Sequence, residues 1–171
     1  INADQILSDV SICSTAELVF DFISNLGFGL SYESAIALYT GIVTDSGSFK
    51  YDLVSKKTHS ITSELLSFNI NHGDIHRKLF DNNSVSRMKL LGCCLTTNFE
   101  ILSEHNTAFF YLRQHDLIQN DFKKGDTEGF VNMPLSLKGI VFSAFFVEYE
   151  DGVKISFRSK SHFDVNKFSR N

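Results

Sequence analysis

Residues 140–158 read IVFSAFFVEYEDGVKISFR, and this stretch predicts a β-hairpin that organises the second half of the chain. Residues 140–149 are apolar at most positions, which is typical of a central strand buried on both faces. Asp151-Gly152 predicts a two-residue turn of the primed type. Beyond the turn, apolar residues alternate with polar ones up to Arg158, which indicates a half-buried strand. We therefore expect an α+β arrangement around an antiparallel hairpin.

Helical patterns dominate the rest of the chain, above all before residue 100. Ser14 and Glu17 have the spacing of a capping box and begin a helix that Gly27 ends. Further helices are predicted by apolar residues at helical spacing, and Pro134 is expected to close one of them. Two of these helices span residues 31–44 and 55–68, and two shorter ones begin after Gly73 and after Ser84. Three more are predicted at residues 115–120, 126–132 and 164–169. Residues 107–112 predict a strand.

Composition limits the class of protein. Of 171 residues, 43% are hydrophobic and 21% are charged, so the chain suits one or two folded domains rather than a disordered segment. No apolar run approaches the roughly 18 residues of a membrane span. A net charge of −4 argues against a protein that coats long nucleic acid by charge alone. Cys13, Cys93 and Cys94 lack disulfide or metal-ligand spacing, which indicates a reducing, cytoplasmic setting.

The main chemical signal lies in GIVTDSGSF, residues 41–49, where a predicted buried helix runs into a polar turn. Asp45 emerges at the C-terminal end of that helix, where the helix dipole disfavours an anion. A carboxylate there requires a compensating cation, and its hydroxyl neighbours suit a hard ion such as manganese or magnesium. The alternative is that Asp45 only caps the next segment, and the residues alone favour that alternative.

Four stretches taken together resemble one known family. They are STAEL at residues 14–18, LYTGIVTDSGSF at 38–49, DTEGFVN at 126–132 and VKISFRSK at 153–160. In this order and spacing they resemble the DHH-family phosphoesterases with their associated C-terminal domain, in the oligoribonuclease / phosphoadenosine-phosphate phosphatase branch. The resemblance spans nearly the whole chain. It favours Asp45 as a carboxylate that binds a metal ion over Asp45 as a cap.

The resemblance implies a two-domain α/β fold. Residues 1–100 would form the later, helix-rich half of a doubly wound α/β metal-binding domain with its connecting helices. Residues 104–171 would form most of a smaller α+β substrate domain with an antiparallel hairpin. The family's paired-aspartate and Asp-His-His motifs lie before residue 1, and its Gly-Gly-Gly-His motif lies beyond residue 171. We therefore expect the chain to be the interior of a longer protein and to be inactive as it stands.

The resemblance also implies a site. Asp45 matches the last metal-ligand motif of the family, so it is expected to be a metal ligand and the catalytic aspartate, with Ser46 replacing the usual threonine. Two Mn²⁺ ions are implied, with Mg²⁺ as an alternative. Arg158 and Ser159 match the Arg-Ser motif that holds the nucleotide substrate, and Lys160 is included more loosely. Arginine suits this role because its planar fork matches a phosphate in bidentate fashion.

The implied reaction is metal-dependent hydrolysis of a phosphate ester by a water activated between two metals. The implied substrates are short oligoribonucleotides, 3′-phosphorylated adenosine nucleotides or both. No membrane partner is expected, and a homodimer is kept open as the assembly. Two alternatives remain: a pyrophosphatase or exopolyphosphatase of the same superfamily, and a non-catalytic nucleotide-binding module.

Other residues carry weaker signals. His72 and His76 have i, i+4 spacing, but a glycine lies between them and no third ligand is evident, so a solvated helix start is favoured. Cys93-Cys94 are adjacent on a predicted helix and diverge in direction, which favours partial burial. The roles of Glu128 and Asn132 in the DTEGFVN motif are left open.

Overall fold

Helices build the first half of the protein. The computed structural model describes residues 6–160 and 163–169. The helices of the first half are α1 (Thr15–Asn25), α2 (Tyr32–Asp45), α3 (Lys56–Leu66), α4 (His72–Phe80) and α5 (Val85–Thr96). The residue before each helix accepts a backbone N–H of the first turn, which satisfies an amide that has no partner within the helix. These caps are Ser14, Ser31, Ser55, Asn71 and Ser84.

The first four helices share one hydrophobic core. Its buried residues are Phe20, Ala35, Leu38, Tyr39, Ile42, Val43, Ile61, Leu65 and Ile70. The chain divides into two compact units between Asp81 and Asn82, so α5 belongs to the second unit. The helical first half agrees with the apolar spacing of its sequence. The assignment of residues 1–100 and 104–171 to two family domains stays a prediction.

A mixed sheet builds the second unit. Within the described residues its strands are β1 (Phe99–Leu102), β2 (Thr107–Leu112), β3 (Phe142–Tyr149) and β4 (Gly152–Ser159), in the order β1-β2-β3-β4. β2 and β3 pair in parallel, whereas the other two pairs are antiparallel. The prediction of a central strand over 140–149 is confirmed, because β3 lies between β2 and β4. β1 escapes the sequence prediction because four residues are too short for a clear alternating pattern.

The parallel pair requires a crossover connection between β2 and β3. This connection contains α6 (Gln114–Gln119) and a 3₁₀ helix (Phe130–Ser136). The helical stretch predicted over 126–132 instead begins at Phe130 and is of the 3₁₀ type, because Gly129, with a φ angle of 78°, cannot be part of a right-handed helix. Turns therefore precede the 3₁₀ helix, and Pro134 lies inside that helix rather than closing an α-helix.

The hairpin between β3 and β4 turns one residue earlier than the sequence predicts. Tyr149 pairs with Gly152, so the two-residue loop is Glu150-Asp151 rather than Asp151-Gly152. Neither loop residue has the positive φ that a primed turn requires. Gly152, with φ 150°, is instead the first residue of β4. After β4 the chain forms α7 (Val165–Ser169), where the sequence predicts a terminal helix.

One face of the sheet carries the core of the second unit. Phe110 of β2 and Phe145 of β3 are buried there with residues of α5, α6 and the 3₁₀ helix. Residues paired across a ladder point to the same face, and β4 pairs Lys154, Ser156 and Arg158 with residues of β3 on this face. We call these three side chains the polar strip. They are exposed or half-buried, so the apolar covering of the sheet does not extend over β4.

Candidate functional site

Asp45 is the last residue of α2, and its carboxylate meets the beginning of α1. The Ser14 hydroxyl donates a hydrogen bond of 2.9 Å to Asp45 Oδ2. Ser14 Oγ also accepts the backbone N–H of Ala16 at 3.1 Å, as the cap of α1. The C-terminal dipole of α2 disfavours the Asp45 anion, whereas the N-terminal dipole of α1 favours it. The tertiary structure therefore supplies a partner for Asp45 that the sequence does not predict.

The two helices approach closely at this site. Gly41 of α2 faces Ala16 of α1, and a Cβ added to Gly41 would lie 3.0 Å from the Ala16 Cβ. The missing side chain at Gly41 lets the two backbones pack at this short distance. The motifs at residues 14–18 and 38–49 therefore meet in one place.

The turn that follows Asp45 has an unusual backbone. Gly47, Ser48 and Phe49 have φ angles of 57°, 60° and 66°, all in the left-handed region. Each non-glycine residue there costs about 1–3 kcal/mol, and such strain clusters at functional sites. The buried Ser46 hydroxyl accepts the Phe49 backbone N–H at 2.9 Å and stabilises the turn. The strain supports a functional role for this motif.

The Asp45 carboxylate suits one coordination bond to a hard divalent ion, since it is exposed and anionic. Over residues 6–160 and 163–169, no group of three or more His, Cys, Asp or Glu side chains is arranged to hold a metal. Burial, together with the charges of Glu17 and Asp45, raises the pKa of the nearby Cys13 thiol. Asp45 thus fits as one ligand, and its metal and catalytic roles stay predictions.

A pocket lies against the polar strip of β4. Its volume is ≈ 170 Å³. It is lined by Thr127 and Glu128 from the turn before the 3₁₀ helix, by the polar strip, and by apolar side chains of β3. The motifs DTEGFVN and VKISFRSK, which are far apart in the chain, therefore line one cavity.

The pocket combines two positive charges with one negative charge. Arg158 Nη1 donates to the Phe157 carbonyl at 2.8 Å, and the other N–H groups of the guanidinium remain for a ligand. Ion pairs within the described part of the chain join other side chains, so Glu128 does not neutralise Lys154 or Arg158 by direct contact. An anion with several acceptor oxygens, such as a phosphate, fits beside these two cations.

The turn at the pocket is anchored by Asp126. The Ser84 hydroxyl donates to Asp126 Oδ1 at 2.7 Å, and the Lys123 backbone N–H donates to Oδ2 at 2.8 Å. Arg87 donates to the Asp126 carbonyl at 2.8 Å. The hydrogen bonds from Ser84 and Lys123, with the charges of Lys123 and Arg87, hold the pKa of Asp126 below its ordinary value. Sequence reasoning missed this role, although Ser84 was recognisable as a helix cap.

Of the residues predicted to bind substrate, Arg158 lines the pocket, whereas Ser159 and Lys160 do not belong to its lining. Ser159 follows Arg158 in β4 and points to the opposite face, where its hydroxyl donates to the Phe163 carbonyl at 2.7 Å. Lys160 is exposed just beyond β4. The substrate-binding roles of these two residues stay predictions.

The paired histidines take part in packing and solvent contact. His72 is the exposed first residue of α4. His76 Nε2 lies 3.2 Å from the Tyr39 hydroxyl, and its ring centroid lies 5.6 Å from that of Phe80. Cys94 of α5 is buried, which raises its pKa to about 12, so it behaves as an inert core residue.

Comparison with known proteins supports the motif analysis. The bifunctional oligoribonuclease and PAP phosphatase NrnA of Thermus thermophilus is 29% identical over 155 residues, which are 89% of this chain and 45% of the relative. The protein of the same name from Bacillus subtilis is 25% identical over 160 residues, 92% of this chain and 50% of the relative. The crystal structure of an exopolyphosphatase-related protein from Bacteroides fragilis matches with a TM-score of 0.91 at 39% identity, over 95% of this chain and 48% of that chain. The chain is a homologue of the DHH-family phosphoesterases.

The DHH-family resemblance of the four motifs is thereby confirmed, together with the mixed α/β fold. The chain spans about half the length of the curated relatives it matches. No protein-family model matches it. Among the helices of the described residues, none combines the length and the apolar character needed to cross a membrane.

Proposed function

We propose that the protein is a metal-dependent phosphoesterase of the DHH family that hydrolyses short oligoribonucleotides, 3′-phosphorylated adenosine nucleotides or both. The observation that carries this proposal is the pocket at β4, where two family motifs provide two cations, two hydroxyls and a carboxylate around one cavity. Similarity to two proteins named for both activities supports this substrate class. A cytoplasmic location is part of the same proposal, and a homodimer stays a prediction.

The polar strip is proposed to bind the phosphate of the substrate. The Arg158 guanidinium offers parallel N–H donors to two phosphate oxygens, and Lys154 adds a mobile positive charge. The hydroxyls of Ser156 and Thr127 can donate to the remaining oxygens. Lys160 is proposed to contact a substrate that extends beyond the pocket, whereas Ser159, on the opposite face of β4, stays a prediction as a substrate-binding residue. A phosphate held at several points keeps the orientation that attack on phosphorus requires.

Asp45 is proposed to contribute one carboxylate to a divalent-metal site, with two Mn²⁺ ions as preferred occupants and Mg²⁺ as the alternative. Divalent metals, when bound, lower the pKa of water and neutralise charge on phosphoryl oxygens. The hydrogen bond from Ser14 holds the Asp45 carboxylate in one orientation. The left-handed turn that follows Asp45 supports the assignment, because strain of this kind is retained at functional sites.

A second candidate is hydrolysis of inorganic pyrophosphate or polyphosphate. It is favoured by the similarity to a protein described as exopolyphosphatase-related. The cations of the polar strip suit an inorganic phosphate chain as well as a nucleotide. A third candidate, a non-catalytic nucleotide-binding module, would use the same pocket without turnover.

Hydrolysis assays on the complete gene product test the proposal. With Mn²⁺, we expect release of mononucleotides from an RNA dinucleotide, of phosphate from adenosine 3′,5′-bisphosphate, or both. Asp45→Asn is expected to lower turnover by at least about 100-fold and to reduce bound metal, because the amide lacks the charge of a metal ligand. Arg158→Lys is expected to raise KM by about tenfold with unchanged metal content, since lysine keeps the charge but loses the planar fork.

Steady-state kinetics, elemental analysis and thermal melting of each variant measure these effects. Unchanged metal content in Asp45→Asn would return Asp45 to a capping role. Rapid cleavage of pyrophosphate without release from either nucleotide would assign the second candidate. Nucleotide binding without turnover of any substrate would assign the binding module.

A further inference from the structure

The pocket contains one group that phosphate binding does not explain. Glu128 lines the same cavity as Lys154 and Arg158. A carboxylate beside an anion-binding site weakens the attraction for the anion by Coulomb repulsion. An ionised carboxylate can only accept hydrogen bonds, so it suits a ligand that brings a donor group together with its phosphate.

The backbone holds Glu128 at this position. The Glu128 N–H donates to the Gly125 carbonyl at 3.0 Å, and Gly129 follows with a φ angle of 78°. Asp126, two residues earlier, ties the turn to Ser84 at the beginning of α5. Glu128 therefore lies on an anchored turn, and its place in the pocket lining follows from the fold of that turn.

The size of the pocket narrows the choice of ligand. Its ≈ 170 Å³ lies below the about 300–1,000 Å³ of pockets that enclose a whole drug-sized ligand. The cavity therefore suits one end of a nucleotide, namely a phosphate with its sugar. A ribose carries two hydroxyl donors, whereas the phosphate groups of an inorganic chain present mainly acceptor oxygens at neutral pH.

We infer that Glu128 is a specificity-determining residue, whose carboxylate accepts a hydrogen bond from a ribose hydroxyl and disfavours inorganic polyphosphate. The inference rests on the proposed function, because it assigns the ligand of the same pocket. The substrates of the two hydrolase candidates differ in this respect: both place phosphate at the polar strip, whereas a nucleotide also offers ribose hydroxyls to Glu128.

Calorimetric binding to the complete gene product, with metal removed by a chelator, tests this role without hydrolysis. The probes are adenosine 5′-monophosphate (AMP), its 2′-deoxy and 3′-deoxy forms, and tripolyphosphate. The wild-type protein is expected to bind AMP more tightly than at least one deoxy form. Glu128→Gln is expected to weaken AMP binding by about three- to tenfold and to erase that difference, because a charged hydrogen bond is lost. The same variant is expected to bind tripolyphosphate about threefold more tightly, since one repelling charge is removed.

Two further variants control the experiment. Glu150→Gln removes the same charge from the exposed hairpin loop outside the pocket lining, so both affinities should stay unchanged. Glu128→Asp keeps the charge on a shorter side chain, so AMP binding should weaken while tripolyphosphate binding stays unchanged. A variant that fails to fold would lose affinity for both AMP and tripolyphosphate. The two affinities of folded Glu128→Gln are expected to shift in opposite directions, so the two cases can be told apart.

The outcomes separate the inference from the proposed function. AMP and tripolyphosphate affinities that shift in the same direction in folded Glu128→Gln, or that do not shift, would overturn the role of Glu128 alone. Equal shifts in Glu150→Gln would also overturn it, because net charge would then explain the effect. A wild-type protein that binds tripolyphosphate but not AMP would overturn the proposed nucleotide substrate as well.

Discussion

At the scale of single residues, one hydroxyl links the beginning of α1 to the proposed metal ligand. Ser14 Oγ accepts the Ala16 N–H and donates to Asp45 Oδ2. A hydroxyl can do both because it carries one donor and two acceptor lone pairs. Helix capping and the orientation of Asp45 are therefore coupled through a single buried side chain.

Ser14→Ala is expected to reduce the free energy of unfolding by about 1 kcal/mol through the lost cap. It should also weaken Mn²⁺ affinity, because Asp45 loses the hydrogen bond that orients its carboxylate. Thermal melting and Mn²⁺ titration of the complete gene product measure the two effects. Ser31→Ala removes the cap of α2 at the end opposite Asp45, so it should cost similar stability and leave Mn²⁺ affinity unchanged. Equal Mn²⁺ affinities in the two variants would contradict the role of Ser14.

At the scale of elements, the turn before the 3₁₀ helix is held by hydrogen bonds to one carboxylate rather than by the hydrogen bonds of a regular helix. The apolar residues of DTEGFVN suggest a helix, yet two glycines with positive φ prevent one. Asp126 instead holds the turn through Ser84 and the Lys123 N–H. The turn that lines the pocket is therefore held by the Asp126 carboxylate, which accepts both hydrogen bonds in its ionised form.

Asp126→Asn is expected to lower the free energy of unfolding by about 1–3 kcal/mol near neutral pH, because a charged hydrogen-bond acceptor is lost. The difference between wild type and variant should shrink as pH falls below the ordinary pKa of 3.8. In that range the unfolded chain takes up the proton before folded Asp126, whose pKa is lower. Urea unfolding from about pH 6 down to about pH 3 measures this trend.

The matched control is Asp151→Asn, in the exposed hairpin loop. It should show little difference from wild type at any pH in the same series. An Asp126→Asn deficit that stays constant down to low pH would mean that the ionised state of Asp126 does not hold the turn.

At the scale of the whole molecule, the two compact units have separate hydrophobic cores. One cluster lies among α1 to α4, and the other lies between the sheet and its covering helices. The two clusters share no residue. A unit with its own core can unfold without removing the core of the other.

Leu65→Ala is expected to cost about 2–5 kcal/mol in the first unit, because Leu65 is fully buried and leaves a cavity. Hydrogen–deuterium exchange should show lost protection in α1 to α4, with the strands of the second unit unchanged. Leu90→Ala is the matched variant in the second core and should give the reverse pattern. Loss of protection across both units in either variant would mean that the cores are not independent.

The sequence by itself determined the features that depend on neighbouring residues. Polar caps followed by apolar residues at helical spacing locate the helices, since capping and spacing act over one or two turns. The apolar run of β3 marks a central strand for a similar local reason. The four motifs, through their resemblance to the family, single out Asp45 and Arg158 from the sequence alone.

Only the tertiary structure decided which distant residues meet. Ser14 and Asp45 are 31 residues apart, and Ser84 and Asp126 are 42 apart, so neither hydrogen bond leaves a periodic signal in the chain. A pattern shows which face of an element is apolar, but not which element covers it or where the covering ends. The pocket lies beside β4, where the apolar covering of the sheet ends, and Glu128 and Arg158 both belong to its lining. Long-range packing, rather than local propensity, therefore defines the site proposed to select the substrate.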